Sequence, residues 1–313
     1  MTTGSLTMAP APSRGVATLA IVSSAACWGL ATVMSKGALS VLPPLSLVTV
    51  QLITSVTLTW VLILAINGIP RIDRAARRAA LNGILEPGLS YVVGMQGLAL
   101  TSASSASLIG ATEPVLSLGL LFLLFRVKSK QRDILAIILA VIGAGCVTVT
   151  GGEDGTGQFA GDMLIVGGTL FAALYVVLSS RLSEHAPPLL MAGMQQGLGL
   201  IVVAIAAAVA LSLGWEQISR WPTMGEWLFI IASGLVQHAI AFWLYLIAVR
   251  TIPVQQASLF LTLVPVFGVG GAVLFLGEPL STMQVAGSAL ILVALLVASV
   301  DRKKILKRDR PPL

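Results

Sequence analysis

The stretch QASLFLTLVPVFGVGGAVLFLGEPLS occupies residues 256–281. A helix rising about 1.5 Å per residue needs about 20 apolar residues to cross a bilayer, and this run supplies them. Yet it holds Pro265 near its middle, with Gly268, Gly270 and Gly271 beyond, and it ends in Gly277-Glu278-Pro279. A second stretch, SASLIGATEPVLSLGLLFLLFRVKSK at residues 105–130, aligns with it without gaps at a shift of 151 residues. Seven of 26 positions are identical, among them Pro114 with Pro265 and Gly119 with Gly270. Gly83 and Gly234 match at the same shift.

The rest of the chain agrees with a membrane reading. It has 313 residues, 56% hydrophobic and 10% charged, against about 25% charged in soluble domains. Ten apolar runs of spanning length are predicted, at 16–38, 44–66, 79–100, 103–125, 133–150, 162–180, 188–213, 226–249, 254–276 and 282–300. They leave no room for a soluble domain. With the N-terminus in the cytoplasm, every basic residue except Lys36 and Arg220 falls on the cytoplasmic side. The net charge of +6 is therefore a topogenic signal and does not point to nucleic acid. The tail segment KKILKR at 303–308 is placed to touch anionic headgroups, and Trp215, Trp221 and Trp227 read as an interfacial belt.

These runs divide into two halves. The expected organisation is a cytoplasmic tail at 1–15, five helices in 16–150, an outer linker at 151–161, five helices in 162–300 and a basic cytoplasmic tail at 301–313. Five is odd, so the second half enters the membrane inverted. The fold class is all-α, polytopic, with two inverted five-helix repeats, both termini inside. Such repeats belong to alternating-access carriers. A mid-span proline removes a backbone hydrogen bond, so Pro114 and Pro265 are candidate hinges; ordinary packing kinks are the alternative.

Trp28 followed by Lys36, the ASL…P pattern in the fourth and ninth runs, and LGEPLS…QVAG at 276–287 give the chain its resemblance to a known family. It resembles the EamA-type ten-helix branch of the drug/metabolite transporter superfamily. That resemblance implies a carrier exporting small metabolites, with neutral or aromatic amino acids as the leading substrates, in the inner (plasma) membrane. A multidrug exporter of lipophilic cations is the alternative it leaves open. The first half departs from the pattern: Arg126-Val127 stands where the second half has Gly277-Glu278, and Glu113 precedes Pro114 where Val264 precedes Pro265.

A central site would draw on groups at mid-membrane depth. Trp28, Tyr91, Glu113, Tyr175, Gln237, His238 and Trp243 are the candidate substrate-binding residues. Glu86 and Glu113 are also candidates for proton coupling, because an intramembrane carboxylate is costly unless paired, hydrated or protonated. Each stands before a proline, so satisfying loosened backbone is the structural alternative. For His238 that alternative is a hydrogen-bonded core imidazole, and for the aromatics it is lipid contact. Glu278 reads as part of a turn, with a gate role as its functional alternative, and Lys36 as a snorkelling side chain.

No arginine and only Lys36 lie within the runs, which disfavours doubly charged phosphates and favours a neutral, zwitterionic or cationic solute. Two histidines and two separated cysteines, Cys27 and Cys146, supply no metal or cofactor motif. An intramembrane Ser-His hydrolase is a remote reading, since Ser233 is off the helical face of His238 and no GxS pattern precedes it. No enzyme activity is expected. The partners expected are a small molecule and the lipid bilayer; a monomer is compatible with the sequence.

Overall fold

The computed structural model describes residues 12–70, 72–126, 131–148, 156–179, 188–252, 257 and 260–299. The basic tail at 301–313, residues 1–11, the first part of the linker at 151–155, and Arg71, Lys128, Lys130 and Arg181 lie outside them. Among the described residues the structure is all helical. In chain order the helices are α1 (Arg14–Ala38), α2 (Pro44–Asn67), α3 (Arg74–Ala80), α4 (Ser90–Leu100), α5 (Ala103–Gly110) and α6 (Glu113–Phe125). They continue with α7 (Gln131–Thr148), α8 (Thr156–Ser179), α9 (Pro188–Ser212), α10 (Met224–Gly234), α11 (Ala241–Val249), α12 (Val264–Leu276) and α13 (Thr282–Ser299). Seven rods are long and apolar enough to cross a membrane, and Leu261–Leu276 and Thr282–Ala298 are shorter apolar helices. Their outward faces stay apolar at Leu19, Leu64, Leu123, Ile205 and Leu274, as a lipid-facing surface requires.

The expected third run is not one straight helix. Between α3 and α4 the chain tightens into a 3-10 turn at Leu81–Ile84 and widens into a π-turn at Leu85–Leu89. Glu86 leaves helical geometry altogether, at φ −135° and ψ 118°, because Pro87 has no N–H to continue the ladder and forces its predecessor into an extended conformation. The eighth run widens at the matching place, with a π-turn at Leu235–Ile240 between α10 and α11. The fourth run breaks at Ala111–Thr112, and the ninth has a 3-10 turn at Leu261–Leu263. In both, the proline sits in the first turn of the following helix, where its missing N–H costs nothing. Both second segments end on a left-handed residue, Arg126 at φ 50° and Gly277 at φ 66°. These positions also differ by the shift of 151, and glycine meets that geometry without a Cβ clash where arginine does not.

Packing across the chain repeats the same scheme. α1 lies against α11 and α12, while α8 lies against α4 and α6. α2 packs on α9 and α10, and α7 runs along α13. Gly83 and Gly234 occupy corresponding close approaches. A Cβ on Gly83 would stand 2.2 Å from the carbonyl oxygen of Gln195, and one on Gly234 would stand 2.6 Å from Cα of Gln51. Backbone cannot move aside as a flexible side chain would. We expect Gly83→Ala to cost about 1–3 kcal/mol and to lower the melting temperature in detergent. Gly94→Ala, whose added methyl meets nothing within 4 Å, should leave it unchanged or higher.

Candidate substrate cavity

A cavity of about 970 Å³ lies in the middle of the bundle, at the helix breaks. Its walls come from both halves of the chain. Trp28 and Thr32 of α1, Glu86 and Tyr91 around the first break, and Ser107, Glu113 and Pro114 of the fourth rod form one part. Tyr175 of α8, Gln195 and Gln196 of α9, Gln237, His238, Phe242 and Tyr245 of the eighth rod, and Pro265 form the other. It extends towards the bundle end marked by Ala79, Ser179, Pro188 and Val249.

The polar lining divides into groups that are occupied and groups that are not. Gln195 accepts from Tyr175 Oη at 2.9 Å and donates to the Ala79 carbonyl at 3.1 Å. Gln196 accepts from Ser55 Oγ at 2.9 Å and donates to the His238 carbonyl at 3.2 Å. Gln237 accepts from Ser35 Oγ at 3.2 Å and donates to Tyr91 Oη at 3.0 Å. These three amides tie helices together with both ends engaged. By contrast, Oε2 of Glu86, Nε2 of His238 and Oγ of Ser107 are buried without a hydrogen-bond partner. Among the described residues no lysine or arginine lines the cavity, so neither Glu86 nor Glu113 has a cationic neighbour there. Two aromatic pairs complete the wall: Trp28 with Tyr245, ring centroids 6.0 Å apart, and Tyr91 edge-on to His238 at 5.0 Å.

The opposite end of the bundle is tied shut by charged caps reaching between distant segments. Glu278 accepts from the backbone N–H of Ala103 at 2.7 Å and of Ser104 at 2.9 Å, and from Ser104 Oγ at 2.7 Å. It caps the N-terminus of α5. Glu216, only 6% exposed, does the same for α2 through the N–H of Leu45 and Ser46, at 2.7 and 3.2 Å. Lys36 donates to the carbonyls of Leu98 and Ala99 at 2.8 and 3.3 Å, so it caps the C-terminus of α4 where snorkelling was expected. Thr101 donates to the fully buried Asp162 beside it.

A model of the EamA-like transporter family matches residues 15–149 and again residues 159–300. The chain belongs to the EamA-like transporter family. Relatives described as uncharacterised transporters include YetK of Bacillus subtilis, 25% identical over 214 residues, covering 67% of this chain and 64% of YetK. YyaM of the same organism is 28% identical over 65% of this chain and 66% of its own length. A transporter of Methanothermobacter thermautotrophicus is 27% identical over 65% and 59%. The chain thus spans less than two thirds of these relatives' length. A protein of known crystal structure superposes with a TM-score of 0.62 at 18% identity, over 94% of this chain and 99% of that one, which shows the fold.

Within this EamA-like bundle the cavity gathers Trp28, Tyr91, Glu113, Tyr175, Gln237, His238, Glu86, Pro114 and Pro265. It does not include Trp243, which is 53% exposed on the outer face of α11. Its depth suited a binding role, but its direction on the helix is outward. We expect Trp243→Ala to change transport less than about twofold, since scattered surface apolar groups contribute little to an interior site. Sequence reasoning missed Gln195, Gln196, Ser107 and Tyr245. The glutamine pair had a visible signal: Gln195 stands at the same offset from Pro188 as Gln51 does from Pro44. Glu216, in a polar connection, had none.

Proposed function

We propose that this chain is a secondary carrier exporting small amine-bearing metabolites, amino acids first among those to test, by alternating access across the cell's inner membrane. The observation that carries this reading is a central cavity walled by both halves, reaching one end of the bundle and closed at the other by Glu216, Glu278 and Lys36. The ten apolar runs of the sequence are read as ten passes, with both termini cytoplasmic, so the cavity faces the cytoplasm and is ready to load an export substrate. The inverted repeat, residues 16–150 against 162–300, is supported by the doubled family match and by the paired breaks. Rocking of one half against the other about the breaks at Pro114 and Pro265 is the motion these features suit.

The test is counterflow. Purified protein is reconstituted with a high internal concentration of one unlabelled solute, and entry of the labelled solute is followed without an ion gradient. Accumulation above protein-free vesicles is the expected result for at least one amino acid or amine. None, from protein shown to be folded, rejects the carrier reading for these solutes. The two carboxylates in the lining, without a cationic neighbour there among the described residues, and the aromatic walls also favour a second reading, export of lipophilic cations, which drug susceptibility of overexpressing cells would reveal.

A further inference from the structure

We infer that the cavity selects a monocationic amine with a flat aromatic body and no carboxylate, in preference to the corresponding amino acid. This rests on the carrier reading and narrows its substrate class. Gln195, Gln196 and Gln237 each have the carbonyl and one amide N–H engaged by the protein itself, so they position the walls and carry no charge to offer a ligand. Among the described residues, the carboxylates that line the space are Glu86 and Glu113. Among the described residues no basic side chain lines the cavity to balance them.

An ammonium group satisfies this arrangement directly. It donates hydrogen bonds to acceptor-only carboxylates and supplies the missing positive charge. A zwitterionic amino acid brings the same ammonium but adds a third carboxylate. Neutral donors such as the Trp28 indole N–H and the Thr32 hydroxyl line the space, but among the described residues no lysine or arginine does. A carboxylate moved from water into such a place loses hydration without gaining a cation. The aromatic body follows from the tilted Trp28–Tyr245 pair and the edge-on Tyr91–His238 pair, whose ring faces attract both a flat ring and an adjacent cation.

Three indoles that share one ring separate these contributions: tryptamine, L-tryptophan and indole-3-propionate. Binding to the full chain in detergent is measured by titration calorimetry at neutral pH. Tryptamine is expected to bind at least about tenfold more tightly than L-tryptophan, and indole-3-propionate not measurably. Glu86→Gln and Glu113→Gln should each weaken tryptamine about tenfold or more while leaving the small affinity for L-tryptophan less changed. The wild-type ranking stands even if a variant fails to fold. L-tryptophan binding as tightly as tryptamine overturns the inference, and so does the absence of binding by all three. Counterflow keeps the two levels apart: amino-acid counterflow without amine preference overturns this inference and leaves the carrier standing, whereas no counterflow by any of these solutes overturns both.

Discussion

Replacing Glu113 with glutamine is expected to reduce transport by tenfold or more while the melting temperature holds or rises, and Glu86→Gln should do the same. The two effects have one cause. Each carboxylate lines a cavity without a cationic neighbour among the described residues, so each is a cost to the fold that a neutral amide relieves by about 1–3 kcal/mol. The same charge is what a cationic solute pairs with. If instead the glutamates served the loosened backbone beside Pro87 and Pro114, the amide would lose an acceptor and the protein would melt lower. Transport and melting measured on the same preparations separate the cases. Retained transport with lowered melting would sink the binding role and restore the structural one. Glu86 is the sharper probe, because its Oε2 is buried and unpartnered and its backbone already stands outside the helix.

The second large effect lies at the far end of the bundle. Combining Glu216→Ala with Glu278→Ala should open the cavity to the side opposite its present mouth. Each carboxylate satisfies two backbone N–H groups at a helix start, those of Leu45 and Ser46 or of Ala103 and Ser104, from 170 to 175 positions along the chain. Leaving such donors unpaired at a closed interface costs about 1–3 kcal/mol per group, whereas in an open form water satisfies them. The closed arrangement is therefore penalised selectively. About 1.4 kcal/mol is a tenfold change in population, so the double variant should shift the balance by about tenfold or more. The readout is a single cysteine at Thr32, in the cavity wall, introduced into a background lacking Cys27 and Cys146. Its labelling from the outer side by a membrane-impermeant maleimide should rise by a similar factor. Unchanged labelling with a lower melting temperature would make the caps structural only. Glu216→Gln with Glu278→Gln, which keeps one carbonyl oxygen per cap, should fall between.

Much of the architecture was legible in the primary structure because it depends on local chemistry. Apolar length marks a bilayer span whatever its neighbours are. Pro87, Pro114 and Pro265 lack an N–H in any context, so three of the four breaks fall beside them, and the shift of 151 brings Glu86 to Gln237 within paired π-turns. Gly277 announces a left-handed helix stop; Arg126, in the same geometry, does not, because arginine carries no such preference.

The site was legible only in depth. Residues at mid-membrane were recognisable by counting along a helix, and most of them do line the cavity. Their direction was not, because lipid and protein core are both apolar and a helix between them shows little periodicity. That is why Trp243 points to the outside while Tyr245, two residues on, faces inward against Trp28. Nor can a sequence say which polar groups are already spoken for. Gln237 is engaged by Ser35 and Tyr91, and Gln196 by Ser55, partners more than 140 positions away, while Glu86 and His238 keep buried atoms free. Composition, span and break were determined by the chain alone, since each is a property of a residue and its immediate neighbours. Which carboxylates stand open to a ligand, and which close the far end, was decided by tertiary contacts, since hydrogen-bond satisfaction exists only once distant helices meet.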